Sequence, residues 1–214
     1  LMVGMALVCA GATLAASFNA STADEIDRSL KADLLVQPAT MSSSNTKLSS
    51  EKAKELAAID GVKETSSYSI YAKPDGSQNP AATSLVIDPA TYSSAYDIRV
   101  TSGSLSDLDA THVAVNKTEN LKMGDKVTLA GPNGSVEATV GAVVDPKGIG
   151  GTYFYSPKVA AAVGSWTSPG TSTDPDHVLD APLGMLLTLE DGANLDTVRH
   201  KAEDIVADTY QYSV

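Results

Sequence analysis

The chain holds only three imidazoles, His112, His177 and His200. Metal binding or acid–base chemistry near neutral pH would begin with them. None has a second histidine at ligand spacing. His200 falls on an amphipathic helical stretch and is expected in solvent. His112 abuts a strand. Each is expected as a structural or surface residue. Asp174, Asp176 and Asp180 lie close enough to suggest calcium, but the run lacks the glycine and the closing glutamate of a calcium loop. Serines are plentiful, yet no G-x-S-x-G elbow raises one as a nucleophile. No G-x-x-x-x-G-K-[ST] phosphate loop occurs. Gly148, Gly150 and Gly151 lack a strand-to-helix setting and read as a flexible loop. Cys9 is the single cysteine, so neither a disulfide framework nor a cysteine metal site is available. The expectation is therefore no catalytic residue, no metal and no cofactor, and a protein that is not an enzyme.

Two weaker patterns remain. Asn19, Asn116 and Asn133 begin N-x-S/T triplets, which arise often by chance. Tyr68, Tyr71, Tyr92, Tyr96, Tyr153 and Tyr155 fall near predicted strands or their ends. They read either as core edges with a wet hydroxyl or as a surface that contacts a partner.

A formal net charge of −11 argues against a nucleic-acid partner, which is gripped by Lys and Arg. It argues equally against a polybasic hold on anionic lipid. With 43% hydrophobic but only 5% aromatic residues, the core must rest mainly on Ala, Val, Leu and Ile.

Residues 1–18 carry no charge and are nearly long enough to span a bilayer as a helix. A membrane helix is expected there. A cleaved signal peptide, with the small-x-small run at Ala10-Gly11-Ala12, and a buried soluble helix are the alternatives. Residues 19–31 continue as a charged helix, with Asp24–Arg28 and Asp27–Lys31 in the favourable i, i+4 order. Residues 33–37 predict a strand. Ser49 predicts a helix cap, with Gly61 just past the helix end. Residues 62–72 and 83–87 predict strands around turn material at 74–80. Residues 90–111 read as mixed and irregular.

The most legible stretch is residues 113–146. Val113 and Val115 alternate with Ala114 as a half-buried strand does. Gly124-Asp125 predicts a turn that tolerates no side chain. Two longer strands follow around the turn signal Gly131-Pro132-Asn133-Gly134. Beyond it lie a short aromatic strand at 152–155 and a helical turn from Pro157 to Val163. A long loop covers 164–182. A strand at 185–189, an amphipathic helix at 195–206 and a last strand at 210–214 complete the chain. Strand–helix–strand units at both ends suggest one α+β layer assembled from both, with the middle β module inserted.

The run GSLSDLDATHVAVNKTENLKMGDKVTL from Gly103, followed by NGSVEATVGAVVD, resembles the extracytoplasmic core domain of FtsX-like, MacB-type ABC transporter permeases. Gly103, Leu105, Val113, Val115, Leu121, Gly124, Asp125, Val127 and Leu129 fill that family's "G-x-L", "VAV" and "GD-x-V-x-L" places. The opening helix and the closing LTLEDGANLDTVRHKAEDIVADTYQYSV are similar to the family's first stalk and last strand–helix–strand.

The resemblance implies an α+β fold: a porter-like βαβ layer built from both chain ends, an inserted β-rich subdomain and a preceding transmembrane helix. The divisions are a transmembrane helix at 1–18, a stalk helix at 19–31, a first porter-like part at 32–89, the insert at 90–182 and a second porter-like part at 183–214. It implies a domain on the extracytoplasmic side of the cell membrane that couples cytoplasmic ATP hydrolysis mechanically to export or to control of an extracellular partner. The implied partners are a cytoplasmic ABC ATPase, a second permease copy or homologue, and an unknown substrate or extracellular protein. The alternative is a secreted or singly anchored, non-catalytic binding module.

Overall fold

The structure, a computed structural model, describes residues 6–8, 29–38, 47–72, 83–146, 151–165 and 172–209. Its strands are β1 (Ala6–Val8), β2 (Leu34–Val36), β3 (Val62–Ala72), β4 (Thr83–Ile87), β5 (Arg99–Gly103), β6 (His112–Asn116), β7 (Lys126–Gly131), β8 (Gly134–Asp145), β9 (Tyr153–Tyr155) and β10 (Gly184–Leu189). Its helices are α1 (Ser50–Ala57), α2 (Pro89–Ala95), α3 (Pro157–Val163) and α4 (Leu195–Val206). This is a mixed α+β domain.

The strands form one ten-stranded mixed sheet in the order β1-β2-β10-β3-β4-β9-β6-β8-β5, with β7 also on β8. Strands from the two ends of the chain are neighbours: Leu35 of β2 pairs with Leu186 of β10. β8 is long enough to serve two partners along one side. Lys126 of β7 pairs with Thr139, and Arg99 of β5 pairs with Asp145 further on. Gly141 is a bulge opposite β6, where the register slips between Val113 and Ala114.

One apolar face runs from β2 to β8. Leu35, Leu186, Tyr68, Leu85, Ile87, Phe154, Ala114, Ala142 and Val144 line it, and α2 covers it with Tyr92, Ala95 and Tyr96. The other face is divided. Leu34, Val36, Met185 and Leu187 meet Leu56 of α1 and Val198, Ala202 and Val206 of α4. Tyr71, Val86, Val113 and Tyr155 meet Val159, Ala160 and Val163 of α3. Strands covered on both faces bury consecutive residues, so Val113, Ala114 and Val115 are all inside rather than alternating.

Local signals explain the helices. Ser49 caps α1, its hydroxyl accepting from the Lys52 amide at 3.2 Å. Asp88 caps α2 from the Ala90 amide at 2.9 Å, with Pro89 at the first helical position. The sequence reading of 90–111 as irregular missed both α2 and β5. α2 is short, and β5 is exposed along its whole length, so neither has a periodic pattern to read. The expected turn at Gly124 is present, with φ 86°, but a side chain there would meet open space. The constraint is the left-handed backbone alone, not crowding.

The uncharged head departs from expectation. Ala6–Val8 is a strand parallel to β2, not a turn of membrane helix. Among the described residues no helix is long and apolar enough to cross a membrane. An open sheet edge gains by pairing with an added strand. The rest of residues 1–18, most of the stalk at 19–31 and the final strand at 210–214 lie outside the described residues. So do the turn at 74–80 and Gly148 and Gly150.

Candidate functional site

A shallow depression of about 480 Å³ opens beside the β6–β8 pair, lined by Asp107, Asp109, His112, Met123, Thr139 and Gly141, among others. Its polar wall is one tight loop. Asp109 Oδ1 accepts from the Thr111 amide at 2.6 Å, the His112 amide at 2.8 Å and the Thr111 hydroxyl at 3.0 Å. His112 Nδ1 lies 3.1 Å from the same oxygen. The Thr111 amide, foremost, and then the His112 ring hold the Asp109 carboxyl down at about 2.

An Asp–His pair invites comparison with a nucleophile-activating dyad. The nearest serine in the network is Ser156. It is 4% exposed and donates its hydroxyl to the Asp109 carbonyl at 2.5 Å. That proton closes the loop rather than facing the imidazole. The arrangement fastens the start of β6 to the start of α3; it does not line up an attack. Sequence reading placed His112 at a strand but missed its partner. The signal was the D-x-T-H spacing, which suits an Asx turn.

His177 lies on the surface with Nδ1 2.8 Å from Asp180 and Nε2 3.9 Å from Asp174. The Asp180 hydrogen bond and charge, then Asp174, raise its pKa. Asp174 caps the short 3-10 turn Pro175–His177 by accepting from the Asp176 amide at 3.1 Å. These carboxylates thus spend themselves on a turn and on one imidazole. Among the described residues no group of His, Cys, Asp or Glu has metal-binding geometry. His200, on α4, sits with Nδ1 2.6 Å from the Asp196 carbonyl.

Five of the six tyrosines are core residues, as one expectation had it, but without the wet hydroxyl. Tyr68, Tyr71, Tyr92, Tyr96 and Tyr155 are all 0–1% exposed. They are core residues, not a contact surface. Burial pushes the Tyr68, Tyr92 and Tyr155 hydroxyls well above their ordinary value. An aromatic-poor chain concentrates its bulk here, with Tyr71 and Tyr155 edge-to-face at 6.3 Å. Asn116 and Asn133 are also engaged. The first accepts from the Thr118 amide at 3.1 Å, and the second donates from Nδ2 to the Ala161 carbonyl at 3.0 Å.

The point where the incoming segment reaches the sheet is the other built feature. Ser29 is helical, and Leu30 already bridges Tyr96 in antiparallel fashion. The Ala95 carbonyl accepts from the Lys31 and Ala32 amides at 3.0 and 2.9 Å, and the Asp97 amide donates to the Ser29 carbonyl at 2.6 Å. Lys31 Nζ reaches the Ser93 carbonyl and Asp97, each at 3.3 Å. Sequence reading gave Lys31 to a helical pair with Asp27 and did not foresee this attachment. Across the sheet, Lys52 of α1 holds Asp208 and, at 2.7 Å, Thr209, just beyond α4.

The comparisons now bear on this geometry. The profile of the MacB-like periplasmic core domain matches residues 1–205. The chain belongs to that family. A MacB-like periplasmic core domain is an extracytoplasmic, non-catalytic part of an ABC transporter permease. The periplasmic region of MacB from Actinobacillus actinomycetemcomitans shares the fold at TM-score 0.52 and 9% identity, covering 82% of this chain and 82% of that one. A permease-protein domain from Porphyromonas gingivalis overlaps at TM-score 0.49 and 11% identity, over 77% of this chain and 72% of that one. The extracellular domain of the ABC-type transporter YknZ from Gram-positive bacteria overlaps at 0.46 and 12%, over 77% and 86%. No curated protein matches the sequence.

Proposed function

We propose that this MacB-like domain works mechanically. Cytoplasmic ATP hydrolysis by a separate ABC ATPase moves the membrane helices. A stalk at residues 19–31 carries that movement outward, and the domain changes shape to drive export or to control an extracellular partner. In this reading residues 32–89 and 183–214 form a porter-like unit, residues 90–182 are its insert, and a second permease copy or homologue completes the assembly. The observation that carries it is the attachment at Ser29–Ala32. A flexible tether would carry no force, whereas this segment is hydrogen-bonded through its backbone to the end of α2.

The test uses the full permease with its ATPase in lipid nanodiscs. Spin labels at the exposed positions Ser93 and Lys54 would report distances across the domain and between copies. A distance change on adding a non-hydrolysable ATP analogue is expected. Unchanged distances in a complex that still hydrolyses ATP would sink the proposal.

One observation favours a second reading, a secreted or singly anchored binding module. If Ala6–Val8 keeps its place beside β2, those residues cannot also lie in a membrane helix. Membrane fractionation and span mapping of the full gene product separate the two: release by carbonate, or retention through a single span, favours the module, and retention through several spans favours the permease.

A further inference from the structure

Resting on the mechanical reading, we propose that the last turn of α2 and Asp97 relay movement of the incoming segment into the edge strand β5. The segment does not merely pass α2. Its backbone forms a small patch of sheet with residues 95–97, through the two bonds to the Ala95 carbonyl and the one from the Asp97 amide. Lys31 staples the same place from outside through Ser93 and Asp97. Beyond Asp97 only Ile98 intervenes before β5 begins at Arg99. A displacement of Ser29 therefore reaches β5 across a single residue.

The segment has another route into the domain, directly into β2, and the two differ in compliance. Asp33 is held twice by β10: its amide donates to Leu187 at 3.0 Å and its carboxylate accepts from the Leu189 amide at 2.8 Å. Leu34, Leu35 and Val36 that follow are each 0% exposed, packed on both faces. Close-packed interiors resist graded displacement, so motion goes to the least buried element joined to the source. β5 is that element. All five of its residues are exposed, and among the described strands it is terminal and pairs only with β8. Its register slips between Val100 and Ser102.

Its far end is fixed. A Cβ at Gly103 would stand 2.0 Å from the Gly141 carbonyl oxygen, so that contact has no slack. β5 is thus anchored at Gly103 and driven at Arg99. The relay tilts the strand and the wall of the neighbouring depression, which begins at Asp107 and includes Met123.

The experiment is hydrogen exchange by mass spectrometry on the full permease with its ATPase in nanodiscs, with and without a non-hydrolysable ATP analogue. A nucleotide-dependent difference is expected in peptides spanning 98–104. Asp97→Pro removes the amide that donates to Ser29; the extended backbone of Tyr96 suits a following proline. It should abolish that difference while leaving ATP hydrolysis and the protection of β3 and β10 as in the parent. Leu30→Ala keeps the backbone and removes a side chain packed against the core, and should shrink the difference. It carries the test if the proline variant does not fold. A difference in β5 that persists in the folded variants overturns the relay. So does a parent in which β3 or β4 responds and β5 does not, and there the mechanical reading stands. A parent in which no peptide of the domain responds, although ATP is hydrolysed, overturns both.

Discussion

β2 and β5 are both short strands near a margin of one sheet, yet they live in different surroundings. Leu34, Leu35 and Val36 are each 0% exposed, whereas every residue of β5 is exposed. The difference lies overhead. β2 has the α2 core on one face and α1 with α4 on the other. β5 is exposed at every residue and, among the described strands, pairs with β8 alone. Burial is thus concentrated where β2 meets β10, and the opposite margin is open.

The largest test of that contrast is the core. Phe154 lies at 0% exposure in the apolar face that runs from β2 to β8. Phe154→Ala should destabilise the domain by about 3–5 kcal/mol. Val100→Ala in β5 should stay within about 0.5 kcal/mol. Urea unfolding followed by circular dichroism measures both. Similar midpoints for the two variants would dissolve the distinction between sealed and open margins.

Two glycines sharpen it. Both have positive φ, 76° at Gly103 and 86° at Gly124. Gly103 also presses on Gly141, while Gly124 faces open space. Gly103→Ala should cost more than about 2 kcal/mol. Gly124→Ala should cost about 1 kcal/mol from the backbone alone. Equal losses would mean that the Gly103 end of β5 is not anchored.

The smallest expected effects are in the charged loops. His177 should titrate above its ordinary 6.5, read by proton NMR, and Asp180→Asn should bring it down. The sign follows: this contact helps the folded state below about pH 6.5 and is lost as pH rises through the raised value. Asp109 works the other way. Its contribution is present above the ordinary 3.8 and is lost as pH falls toward about 2. A His177 midpoint at or below 6.5 would dismiss the ion-pair geometry at Pro175–His177.

Much of the fold was readable because its signals are local. Ser49 before α1, the glycines around the β7–β8 turn and the apolar stripe of α4 each announce an element from within a few residues. The missed elements lack such signals. β5 buries nothing, so RVTSG carries no alternation. Val113–Val115 looked half-buried because small Ala114 gives no sign that its face is covered too; it packs in the core under α2, while Val113 meets α3. The tyrosine hydroxyls were misread for a similar reason: a hydroxyl hints at water, but here tertiary packing outweighs it, and five rings fill a core short of Phe and Trp. The attachment of Lys31 to Ser93 and Asp97 joins residues that no spacing rule connects.

The pairing of Leu35 with Leu186 also constrains how the domain is made. β2 is synthesised well before β10, its antiparallel partner. Until β10 has emerged, the sheet cannot close and Leu34, Leu35 and Val36 have only half their cover. Loop closure over so long a stretch is slow, and its intermediates expose apolar edges. Folding of this sheet therefore waits on the part of the chain that carries β10.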